Sequence, residues 1–176
     1  MRADDLAKEL MEPGGSCHSE LVRAFSQDGV FDSKGRIIIE AMSRRIFSDE
    51  KKRLQANAII HPAVKQEILC RVEAVRQEGR FRFFFLEAAL LLEEGYDAIC
   101  DEIWYIYASE DERRGRLRRS RSYSDEKISA IFESQLPESV FRKRCSRVIG
   151  NEGEFSETKE CIEEILKEKS DEVGRR

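Results

Sequence analysis

Four groups of side chains in this 176-residue chain have the type and setting to do chemistry. Glu87 directly follows the apolar run Phe83-Phe84-Phe85-Leu86. An acid at the carboxyl end of a strand can reach a metal–phosphate or a substrate hydroxyl, and it can equally cap or solvate the turn that follows. Between Arg113 and Arg121, six of nine residues are arginine: 113, 114, 116, 118, 119 and 121. Guanidinium groups grip phosphate oxygens in bidentate fashion. On a helix, Arg114, Arg118 and Arg121 share one face, while Arg113 and Arg116 form another stripe. Such a field suits a lid that neutralises a phosphoryl group in transfer, an RNA-binding patch, or a solvated helix paired with Glu110, Asp111 and Glu112. His61 precedes Pro62 at what reads as a helix start, where histidine serves more often as a cap or core residue than as a catalyst. Asp4 and Asp5 open the first helix, where carboxylates also favour the helix dipole. Gln135 and Asn151 are amides that position alone does not assign.

The elements that must hold these residues divide at Phe81. Before Gly79 the pattern is helical: Ala3 to Glu12, stopped by Pro13-Gly14-Gly15; a second helix through Leu21, Val22 and Phe25, capped by Ser16 or Ser19; and Ile37 to Phe47 beyond a turn-rich loop from Gly29 to Gly35. Ser48 is expected to cap the next helix. Ile59-Ile60-His61-Pro62 is expected to interrupt it, with Pro62 at the first position of a further one. After Phe81 the texture alternates. Residues 81–86, Ile103 to Tyr107 and Arg147 to Ile149 read as buried strands, with Trp104 and the phenylalanine run as core. Helices at Asp111 to Arg119, Ser124 to Gln135 and Glu138 to Cys145 fall between them. A final helix runs from Ser156 to Lys169, and the charged tail beyond is expected to fray. Strands alternating with helices predict an α/β protein with a parallel sheet, whose ligands sit outside the carboxyl ends of the strands.

Composition narrows the classes. Net charge is -4 and the pI about 5.5, so the surface as a whole does not attract nucleic acid. The five cysteines are scattered and form no C-x-x-C pair, and with only two histidines no zinc constellation is expected; reduced thiols in a cytoplasm are the plain reading. The charged N-terminus shows no signal peptide, and no run approaches the roughly 20 apolar residues of a membrane span. A cytoplasmic location is therefore expected. None of the ten glycines precedes a lysine, so the phosphate loop G-x-x-x-x-G-K-[ST] is absent from these residues.

Taken in order, several segments resemble the dephospho-coenzyme A kinase family. Ala3-Asp4-Asp5-Leu6-Ala7-Lys8-Glu9-Leu10 with Glu12-Pro13-Gly14 is similar to its Asp-Ala-Asp helix, Val30-Phe31-Asp32 with Arg36 and Ile46-Phe47-Ser48-Asp49 to its next stretch, and Ile59-Ile60-His61-Pro62 to its His-Pro. Glu87-Ala88-Ala89-Leu90-Leu91-Leu92-Glu93 resembles Asp-Ile-Pro-Leu-Leu-Phe-Glu. Asp101-Glu102-Ile103-Trp104, Arg116-Leu117, Tyr123-Ser124, Gln135-Leu136 and Val148-Ile149-Gly150-Asn151-Glu152-Gly153 complete the series. The resemblance implies a P-loop kinase-like three-layer α/β fold with a parallel sheet, a helical substrate region and a small helical lid, its first two strands and P-loop missing here. It divides the chain into a coenzyme A-substrate region (1–80), a lid (111–144) and the remainder of the nucleotide-binding core (81–110 and 145–176). It implies transfer of the ATP γ-phosphoryl group, with Mg²⁺, to the 3′-hydroxyl of dephospho-coenzyme A. Asp4 and His61 then belong to the coenzyme A side, Glu87 to the nucleotide and metal, Arg116, Arg119, Arg121 and Gln135 to the lid, and Asn151 to the adenine loop. Arg2 stands where the family has its first Asp, and Ser120 where an arginine is usual. On this reading the chain is a shortened kinase of impaired activity. The competing readings are a coenzyme A- or nucleotide-binding pseudo-kinase and RNA binding through the arginine run, and a central strand lost from between 81–86 and 102–107 is expected to leave apolar edges exposed.

Overall fold

A computed structural model describes residues 1–173, in two compact units, 1–95 and 96–173. The first unit is helical. α1 (Ala3–Met11), α2 (His18–Phe25) and α3 (Ile39–Ser48) all pack on the long α4 (Glu50–Glu78). Leu6, Leu21, Phe25, Val30, Met42, Ala56, Val64 and Ile68 form its core, each large side chain contributing roughly 1.5–3 kcal/mol by leaving water. The turn after α1 closes tightly, with Gly15 so near Leu10 that a Cβ would lie 2.3 Å from its carbonyl oxygen.

Three local expectations are corrected. α2 is capped by neither Ser16 nor Ser19; Cys17 holds the N-cap position without a side-chain cap, its own N–H and thiol spent on the Leu10 carbonyl. The cap of α4 is Asp49, not Ser48: the Asp49 carboxylate accepts from the Lys51 and Lys52 N–H groups, while Ser48 Oγ donates to Arg45 O. α4 also runs unbroken through Pro62. The proline and Ala58, whose carbonyl has no proline N–H to accept, are both exposed residues, and the buried stripe Ala56, Val64, Ile68 packs the helix on either side of the gap. Gly79, at φ 64°, then ends it.

Residues 81–86 do not form the expected strand. Met1–Ala3 bonds to its end: the Met1 ammonium donates to the Phe85 carbonyl, the Ala3 N–H to the Glu87 carbonyl, and the Glu87 N–H to the Met1 carbonyl. Phe81, Phe84 and Phe85 are consequently exposed rather than core.

The second unit carries the sheet. β1 (Trp104–Tyr107) pairs in parallel with β2 (Arg147–Gly150), in register from Trp104↔Arg147 to Tyr107↔Gly150. A parallel neighbour requires a crossover, supplied by α5 (Glu110–Arg121), α6 (Asp125–Glu133) and α7 (Glu138–Arg144), and α8 (Phe155–Val173) lies against β2. Ile103, Ala108, Ile128, Ile149 and Ile165 are its buried centre. Trp104 is half-buried, its Nε1–H donating to Glu102 at 3.1 Å. α8 continues past Lys169, so the tail is helical to Val173; residues 174–176 lie outside the described residues.

Candidate functional site

In the first unit, Asp4 is an exposed residue of the first turn of α1. Glu87 is brought beside that turn by the bridge between Arg2 and Glu87. Arg2 sits between two carboxylates, its Nη1 3.1 Å from Asp5 Oδ2 and its Nε 3.4 Å from Glu87 Oε2. Glu87 is 73% exposed in its side chain, so this pairing is weak. An open cavity of about 510 Å³ lies alongside, bounded by Arg2, Leu6, Glu9, Arg71, Val75 and Phe84; Asp4, Glu87 and His61 are not among the residues that line it.

His61 stands in the middle of α4, not at a helix start. Its Nδ1 is 2.7 Å from Glu94 Oε1. A carboxylate has no proton to give, so Nδ1 carries the hydrogen and Nε2 is left for other work. One turn on, Lys65 Nζ donates to the Glu94 carbonyl at 3.1 Å. Glu94 was not singled out in the sequence, because no local spacing links it to residues some thirty positions earlier.

The second unit brings Arg116 and Asn151 together. Arg116 Nε pairs with Glu112 at 2.7 Å, and its Nη2 donates to the Asn151 carbonyl at 2.6 Å. The Asn151 N–H in turn donates to Tyr107 O at 2.7 Å, and Thr158 Oγ1 to Gly150 O at 2.9 Å, so the turn after β2 is held from three sides. Glu152 accepts from the Ser109 N–H at 2.9 Å; the Ser109 side chain first, and then this N–H, hold its carboxyl below the usual range. Arg113 reaches Gln135 at 3.3 Å, lies 4.5 Å over the Phe132 ring, and keeps a buried Nε without a partner. Arg114 covers the same ring and binds Glu110 and Ser129. Arg118 pairs with Asp125, and Arg119 stands 3.5 Å from Glu112 with its side chain 69% exposed. Arg121 is exposed and has no partner among the described residues. The arginine run is thus two-thirds committed to structure: 113, 114, 116 and 118 hold the helices, while 121 and the loosely paired 119 are available to an anion.

Sequence reasoning missed Ser109, Glu152 and Thr158. Ser109 had a legible signal, the S-x-x-E spacing to Glu112 just before the helix; the other two did not, since their partners are distant in sequence.

A parallel strand pair, a helical crossover bearing the arginines and a helical first unit define an α/β protein with a parallel sheet. The family model described as dephospho-CoA kinase matches residues 1–157, and the chain belongs to that family. The dephospho-CoA kinase of Geobacillus kaustophilus is 31% identical over 94% of this chain and 82% of its own length. That of Bacillus cereus strain ATCC 10987 is 32% identical with the same two shares. Among solved structures, a Thermus thermophilus protein matches with TM-score 0.72 at 26% identity, over 96% of this chain and 83% of its own. The dephospho-CoA kinase from Campylobacter jejuni gives 0.70 at 19%, over 98% and 85%, a likeness of fold.

Proposed function

We propose that this chain is a dephospho-coenzyme A kinase, which transfers the γ-phosphoryl group of ATP to the 3′-hydroxyl of dephospho-coenzyme A. The observation that carries this reading is the family match over residues 1–157, with the family's motifs in order along the chain. Phosphoryl transfer places little covalent work on a protein; positioning and neutralisation of charge dominate. In this reading Asp4 and His61 orient the substrate, and the bare Nε2 of His61 is the atom left to meet it. Arg116, Arg119 and Arg121 answer the phosphate charge, Arg121 and the exposed, loosely paired Arg119 being placed to do so by direct contact. Gln135 and Asn151 line the nucleotide side.

Magnesium suits Glu87 in one way only. Among the described residues no three carboxylate, histidine or cysteine groups gather as a metal cage, but Mg²⁺ is commonly held by one or two carboxylates together with the phosphates of its nucleotide. Glu87 is an exposed carboxylate whose neighbour Arg2 binds it loosely, which fits that arrangement. When bound, the ion would draw charge from the transferring phosphate.

One residue argues for slower transfer: Arg2 supplies a cation where the family has a carboxylate able to accept the 3′-hydroxyl proton. Losing a single preorganised group typically costs about 10²–10³ in rate. The test is to incubate the 176-residue chain with ATP, Mg²⁺ and dephospho-coenzyme A and follow coenzyme A by mass. We expect calorimetric binding of dephospho-coenzyme A with turnover below the roughly 1–100 s⁻¹ of kinases. No binding would remove the kinase reading, and turnover at ordinary rates would show that the Arg2 position carries no proton transfer.

A further inference from the structure

Two hydrogen bonds tie the start of α5 to the turn after β2. The Ser109 N–H donates to Glu152 Oε1 at 2.9 Å, and Arg116 Nη2 donates to the Asn151 carbonyl at 2.6 Å. Their α5-side residues are two helical turns apart, yet they land on adjacent residues of one turn.

The first bond is unusual in its source. Ser109 caps α5 in the ordinary sense, its Oγ accepting from the Glu112 N–H at 3.5 Å. In a complete capping box the glutamate at the third position reaches back to the N–H of the capping serine. Glu112 has the right identity and spacing but is turned away, its carboxylate 2.7 Å from Arg116 Nε. The Ser109 N–H that Glu112 leaves open is taken by Glu152, a residue beyond β2. The exchange is reciprocal in effect: Glu112 holds the arginine that grips the Asn151 carbonyl, and Glu152 holds the serine that begins the arginine helix. The Ser109 side chain, and after it the Ser109 N–H, depress the Glu152 carboxyl, as expected of an anion seated at this cap.

We infer that Glu152 is a positioning residue that completes the cap of α5 from the turn after β2, so that an adenine nucleotide seated at that turn sets the placement of the arginines on α5. The ligand half of this statement rests on the assignment of Asn151 to the nucleotide under the proposed function.

The test uses the full 176-residue chain, with ATP as the probe, and compares Glu152→Ala with Glu152→Gln. The amide of Gln keeps an oxygen able to accept from Ser109. Without ligand, E152A should speed hydrogen exchange at the Ser109 amide about tenfold, the scale of one lost charge-assisted bond, and E152Q should restore most of the protection. With ATP, exchange across 109–113 should slow in the parent and in E152Q but not in E152A, even though E152A still takes up ATP at the turn. A purely structural cap would not make the protection of α5 depend on ATP. Equal Ser109 exchange in E152A and the parent would overturn the cap, and ATP protection of α5 that survives in E152A would overturn the coupling. If the parent binds no ATP, the nucleotide reading and the coupling fail together, while the ligand-free exchange still decides the cap. Should E152A not fold, Glu152→Ser, polar but too short to reach, takes its place with the same expected outcomes.

Discussion

At the scale of single residues, the helical unit is held most firmly at Asp28. Its carboxylate lies 2.6 Å from Arg45 Nε on α3 and 2.6 Å from Lys52 Nζ on α4, with only 11% of its side chain exposed. Lys52 also donates to the Ala24 carbonyl and stands 4.8 Å over the Phe25 ring. One short side chain therefore joins three helices. The Lys52 bond, then the Arg45 bond, hold the Asp28 carboxyl below its ordinary 3.8. Because the folded value is the lower one, this contribution is fully present above pH about 4 and is lost as pH falls through the folded value. Asp28→Ala removes the carboxylate partner of Lys52 and one of the two carboxylates paired with Arg45, which keeps Asp49, and should cost about 2 kcal/mol at pH 7. In urea titrations the gap between parent and variant should narrow as the pH drops below 4; a gap that stays constant would mean the loss comes from packing. Gly15→Ala should be costlier than its size suggests, by more than about 2 kcal/mol in the same titration, since its Cβ would meet backbone at 2.3 Å and not a movable side chain.

At the scale of elements, Pro62 separates what local chemistry dictates from what packing decides. A proline in a helix interior is disfavoured by about 3 kcal/mol relative to alanine, and read alone it predicts the helix boundary that α4 lacks. Burial of Ala56, Val64 and Ile68 on either side overrides it. Pro62→Ala restores an N–H to face the Ala58 carbonyl and should raise stability by about 1–3 kcal/mol, visible as a thermal midpoint several degrees higher; an unchanged midpoint would show that the helix already bends to absorb the proline. The same contrast runs through the chain. β1, β2 and the helices between them were legible because each carries its own period or apolar run, and Ser124 and Pro137 mark their helix starts as local residues should. The segment 81–86 misled because an apolar run specifies burial only where a neighbouring strand exists to bury it, and here the bonds with Met1–Ala3 fall at its end, on Phe85 and Glu87. Of the candidate site, Arg116 and Asn151 were legible as chemical types, but their mutual contact, the swapped partner at Ser109 and the His61–Glu94 pair join residues from about thirty to over forty positions apart. No periodicity encodes such pairs.

At the scale of the whole molecule, the two units end up with unequal means of covering apolar surface. The helical unit buries a continuous set of large side chains but leaves Phe81 and Phe85 at 55% and 50% exposure. The sheet unit has one two-stranded sheet among the described residues, with Ile106 and Val148 at 46% and 41%. Exposed aromatic side chains are a surface on which another chain can associate. A net charge of -4 over 176 residues offers only modest repulsion against that. The chain should therefore self-associate as its concentration rises, seen as growing mass in sedimentation velocity. Replacing Phe81 and Phe85 together by glutamate should suppress that association with the far-ultraviolet dichroism unchanged, because neither ring belongs to a core and both changes add charge where pairing would begin. If association persists undiminished in the double variant, the sticky surface lies elsewhere, and Phe47 and Phe155, at 85% and 77% exposure, are the next residues to change.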